Sequence, residues 1–88
     1  MAATYRIELT PAAQRDLAAL PREMLKRVDA RILTLAEDPY RGAKKLEGPE
    51  GFLRVRVGDY RIIYQVEGDR LVVIVVRVGH RREVYRKR

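Results

Sequence analysis

Cysteine is absent from this chain, so disulfide staples, thiolate chemistry and a cysteine-type zinc site are all excluded, although the absence names no compartment. Long hydrophobic runs are absent too. The longest uncharged apolar stretch, Leu71 to Val76, falls far short of the roughly 20 residues a membrane-spanning helix requires, and it reads as a buried strand. Met1 to Leu9 carry Arg6 and Glu8 in an alternating pattern with no hydrophobic signal core, so secretion has no support and the cytoplasm is the expected location. No internal repeat or low-complexity tract interrupts the chain, and histidine occurs once, at His80. Acids are scarce against bases: 12 Asp and Glu face 19 Lys and Arg, for a net charge of +7.

What is present belongs to a folded protein. A composition 47% hydrophobic and 35% charged is too apolar for disorder and too charged for a membrane. Eighty-eight residues leave room for one domain, 1–88, since a chain this short buries only about 60% of its unfolded surface. The bases bunch toward the C-terminal half, where Arg77, Arg81, Arg82, Arg86, Lys87 and Arg88 face only Glu83. A polyanion is the natural partner of such a segment, and a solvated surface that keeps the chain soluble is the plainer alternative.

Tyr5, Ile7 and Leu9 alternate with Arg6, Glu8 and Thr10, the period of a strand with one buried face. Thr10-Pro11 then starts a short helix with Ala13, Leu17 and Leu20 on one stripe. Pro21 opens a second, which Asp38-Pro39 ends. Glycines and Pro49 mark Tyr40 to Gly51 as an irregular connection displaying Lys44 and Lys45, read as a solvated loop without a catalytic role. The second half reads as an antiparallel meander, Phe52 to Val57, Tyr60 to Val66 and Leu71 to Val78, with tight turns at Gly58-Asp59 and Gly68-Asp69. The last strand is apolar on both faces and is expected at the sheet's centre.

A strand period of two sends Val55 and Val57 to the core and puts Arg54 and Arg56 together on the opposite face; Arg61 joins them if the register allows. Beyond Val78 come His80, Arg81, Arg82 and Tyr85. Metal-free RNA cleavage needs a base for the 2′-hydroxyl, cations for the growing phosphorane charge, an acid for the leaving oxygen and a surface to hold the nucleotide. Arginines supply charge and bidentate phosphate contacts, and Tyr85 supplies an aromatic face or a proton. The plain readings are exposed cations that solubilise a sheet, a surface histidine and a tyrosine that packs a chain end.

With Thr10-Pro11-Ala12-Ala13, Asp38-Pro39, Lys45-Leu46, Arg54 to Tyr64 and Val78 to Tyr85 in this order and spacing, the chain resembles the RelE family of bacterial and archaeal toxins, within the RelE/ParE superfamily, over essentially its whole length. The resemblance implies an α+β fold, an N-terminal strand and two-helix hairpin packed on a curved, mainly antiparallel four-stranded sheet. It implies entry into the ribosomal A site, where mRNA is cut by 2′-hydroxyl attack to a cyclic phosphate and a 5′-hydroxyl, with no metal and no cofactor. It makes Arg61, Arg81 and Tyr85 catalytic, with Arg54, Arg56 and Arg82 as phosphate-binding residues. Well-known members carry lysine at the positions of Arg54 and Arg56, and an arginine with a pKa above ~12 is a poor base, so His80 is a candidate proton carrier beside Tyr85. The implied partners are the ribosome, mRNA and a small antitoxin that forms a hetero-oligomer with the toxin; no membrane is involved. Two other readings stay open: a gyrase poison of the ParE kind that cuts no RNA, and a non-catalytic or decayed nucleic-acid-binding homologue.

Overall fold

In the computed structural model, residues 4–80 are described. They run β1 (Arg6–Leu9), α1 (Pro11–Ala18), α2 (Arg22–Glu37), β2 (Lys44–Lys45), β3 (Leu53–Val57), β4 (Tyr60–Glu67) and β5 (Val72–His80). The strands form one sheet in the order β1-β5-β4-β3-β2, with β1 parallel to β5 and the other neighbours antiparallel. The expected four strands are therefore five: Lys44 pairs with Arg54 and Lys45 with Leu53. Two residues are too few to show alternation, so no pattern announces β2. The doubly apolar β5 does lie between two neighbours.

Helix α1 starts as its first residues dictate. The Thr10 hydroxyl accepts from the Ala13 amide at 3.1 Å and donates to the Val76 carbonyl at 2.9 Å, so one side chain caps the helix and ties it to β5. Val28, Ile32 and Leu35, spaced four and three apart on α2, are buried against Val55, Ile62, Tyr64, Val73, Val75 and Val78. Each buried aliphatic of this size contributes about 1.5–3 kcal/mol. Asp38 is extended (φ −152°) because the following Pro39 disfavours a helical residue before it. Both helices cover one face of the sheet and leave the other uncovered by either.

The two Gly-Asp pairs behave differently. Gly58 takes φ +59° at the first central position of a two-residue turn, as its lack of a Cβ permits. The connection after Glu67 is longer, residues 68–71, and there the positive φ falls on Leu71 (+55°) instead of the glycine. One further irregularity sets the phase of the molecule: Ile63 pairs with Arg77 but Tyr64 pairs with Val75, so Val76 is an extra residue in β5, a bulge. Strict alternation from Val73 and Val75 would turn His80 away from the helices. The bulge reverses this, and Val78 is buried instead.

Candidate nucleic-acid interface

Residues opposite one another in a ladder share a face. Arg56 is opposite Arg61, Arg54 opposite Ile63, and Lys44 opposite Arg54, so Lys44, Arg54, Arg56 and Arg61 all lie on the side away from the helices. Across β4, Arg61 meets Gly79, which adds no side chain there, and Ile63 meets Arg77. Arg56 is exposed and Arg54 half-buried, whereas Arg61 is only 9% exposed and Ile63 is buried beside it. Like charges directly opposite in a ladder disfavour pairing, so Arg56 and Arg61 break a local rule of sheet design at one spot. Such a breach is expected where an anion is to be held.

Charge is segregated along this face. At its far end the acids are occupied: Glu8 pairs with Arg6 at 2.9 Å and Glu67 with Arg70 at 2.6 Å. Near the β3–β4 turn, no carboxylate among the described residues forms a salt bridge with Arg54 or Arg56. Arg77 is committed elsewhere. Its Nε donates to Asp16 at 2.7 Å, and the same carboxylate accepts the Val78 amide at 2.9 Å, closing the edge of β5 beyond the end of β1. The guanidinium groups of Arg54 and Arg56 are permanent cations able to bind phosphate oxygens two at a time and unsuited to accept protons.

The register separates His80 from the arginines. It is opposite Tyr60, on the side that bears the helices, and the two rings meet edge to face with centroids 5.8 Å apart. His80, the candidate proton carrier, therefore lies on the opposite side of the sheet from Arg61, and the bulge at Val76 is the physical reason. Arg81, Arg82 and Tyr85 lie outside the described residues. Lys44 is the cation that sequence reasoning missed, since only its pairing with Arg54 brings it to this face. No group of three His, Cys, Asp or Glu among the described residues is arranged to hold a metal ion.

Comparison with known proteins agrees with this architecture. The family model for the ParE toxin of the type II toxin–antitoxin system parDE matches residues 7–85. Toxin RelG of Mycobacterium tuberculosis is 33% identical over 85 residues, covering 94% of this chain and 98% of that protein. The mRNA interferase toxin RelE of Escherichia coli is 37% identical over 75 residues, covering 81% of this chain and 76% of that protein. Among solved structures, the toxin–antitoxin complex RelBE2 of Mycobacterium tuberculosis superposes with a TM-score of 0.81 at 32% identity, over 88% of this chain and 98% of that one. With a family match along most of its length, relatives about one-third identical and the same arrangement of helices and strands, the chain belongs to the RelE/ParE family of toxins of type II toxin–antitoxin systems, and its named relatives are RelE and RelG toxins.

Proposed function

We propose that this toxin is a ribosome-dependent mRNA endoribonuclease that acts in the cytoplasm and is restrained by a cognate antitoxin. The observation that carries the reading is Arg61 directly opposite Arg56, with Arg54 beside them, on the face turned away from the helices. In the reaction the 2′-hydroxyl oxygen attacks the adjacent phosphorus and the bond to the 5′-oxygen breaks. A 2′,3′-cyclic phosphate and a 5′-hydroxyl result, and one proton passes from the first oxygen to the second. Arg56 and Arg61 meet the charge that grows on the phosphorane oxygens, a contribution that commonly dominates such catalysis. Arg81, Arg82 and Tyr85 complete the site in this proposal, with Tyr85 stacking on a base or moving the proton. His80, on the other side of the sheet beside Tyr60, is assigned to packing.

Free RNA is expected to be a poor substrate, because a site built mainly of cations must take its substrate's orientation from the ribosomal A site. Support for the activity comes from the Escherichia coli relative, an mRNA interferase. Support for the antitoxin comes from the Mycobacterium tuberculosis relative, whose structure is a toxin–antitoxin complex.

The test is mapping of mRNA 5′ ends after induction. New ends within translated sequence are expected, and Arg61→Ala should lower their yield by roughly 10² or more while the protein stays folded. A second reading, a gyrase poison, draws on the ParE description of the matching family. Induction that produces DNA damage and no new mRNA ends would establish that reading instead.

A further inference from the structure

A second cationic site lies around the corner of β3. Arg27, Ala30, Arg31 and Thr34 form one stripe of α2, spaced three, one and three apart, and they face Arg56 and Gly58 across a cleft of about 450 Å³. Strand β2 pairs only with Leu53 and Arg54, so among the described residues no strand lies beside the edge of β3 at Arg56 and Val57. Three arginines line this one opening. The salt bridges among the described residues are Arg6–Glu8, Arg70–Glu67 and Arg77–Asp16, so none of the three is neutralised by a carboxylate there.

The site is also built. Arg31 donates to the Thr34 hydroxyl and, at 3.1 Å, to the Arg41 carbonyl, both neutral groups, which fix its orientation without cancelling its charge. A Cβ on Gly42 would stand a tight 3.1 Å from Arg31 Nη2, whereas one on Gly58 would meet Arg27 Nη2 at an ordinary contact distance of 3.5 Å. Both glycines adopt positive φ, so a side chain at either would strain the backbone.

We propose that this cleft binds a backbone phosphate of the same RNA strand whose neighbouring phosphate is held at Arg61; the inference rests on the nuclease reading above. Arg56 belongs to both places, lining the cleft and lying opposite Arg61 in the ladder, so a strand crossing the Arg61 face passes within reach of the cleft. Guanidinium forks match phosphate oxygens two by two, and Ala30 and Val57 offer apolar wall to a sugar. The cleft is shallow and open to solvent, a shape that suits a passing backbone phosphate rather than an enclosed ligand.

The experiment is an NMR amide titration of the full chain with a short single-stranded RNA, and separately with inorganic phosphate and a glutamate-rich peptide. The amides of Ala30, Thr34 and Gly58 are expected to shift with RNA together with those of Arg56 and Arg61. Inorganic phosphate should move only the cleft set at low concentration. Arg27 is exposed on its helix, so Arg27→Gln keeps the fold; it should weaken RNA binding several-fold and lower the slope of log affinity against log salt by about one. RNA that moves the Arg61 set and leaves the cleft amides still overturns this inference alone. RNA that moves neither set overturns the nuclease reading with it. Cleft amides that respond to the acidic peptide and not to RNA, or an Arg27→Gln protein with unchanged affinity and salt slope, would assign the cleft to something other than an RNA strand.

Discussion

Tyr64 is fully buried, and its hydroxyl donates to the Pro39 carbonyl, pinning the end of α2 to the middle of the sheet. Burial pushes its phenol up from 10.0 to about 12, because the phenolate has no water to stabilise it; nearby Arg31 opposes the shift only in part. The sign of the consequence follows from proton counts. Between these two values the folded chain keeps the proton and the unfolded chain loses it, so stability is intact below pH 10 and falls as pH rises toward 12. A loss of about 1.4 kcal/mol is expected between pH 9 and pH 11, read from urea melts at those two values. Tyr64→Phe should remove this part of the pH dependence and cost about 1–3 kcal/mol at neutral pH, since the Pro39 carbonyl is left without its donor. A Tyr64→Phe protein with the same alkaline slope as the parent would show that other groups cause it.

Thr10 shows how one short segment governs the orientation of another. Its hydroxyl caps α1 and holds the carbonyl of Val76, the extra residue of β5. Thr10→Val should cost about 1–2 kcal/mol, and Thr10→Ser should keep most of the stability; a loss in Thr10→Ser with none in Thr10→Val would mean that the methyl group and not the hydroxyl matters. The strands and helices themselves are legible in the sequence wherever a pattern runs for several residues. Alternation alone assigns Val55 and Val57 to the core and Arg54 and Arg56 away from it, and Thr10-Pro11 and Asp38-Pro39 bound the helices. Three features are not legible, each for a physical reason. Strand β2 is too short to alternate, the bulge at Val76 is held by a hydroxyl 66 residues away, and the turn after Glu67 takes its positive φ at Leu71 instead of Gly68. The bulge matters most, because a single extra residue moves His80 from the arginine face to the side of Tyr60.

Taken as a whole, the molecule separates its charges. Acids at one end of the open face are tied to Arg6 and Arg70, Asp16 is tied to Arg77, and Arg54 and Arg56 near the β3–β4 turn form no salt bridge among the described residues. The antitoxin proposed above would have to cover or compete for this same region, as a partner that restrains a polyanion-binding site must. The measurement that bears most directly on the central claim is single-turnover mRNA cleavage on programmed ribosomes by the parent toxin, Arg56→Ala, Arg61→Ala, the double variant and His80→Gln. If Arg56 and Arg61 act on one phosphate, Arg61→Ala loses roughly 10²-fold or more, the double variant loses much less than the product of the singles, and His80→Gln stays near the parent rate. Cleavage by folded Arg61→Ala at the parent rate, or a His80→Gln protein that fails while Arg61→Ala succeeds, would contradict the account.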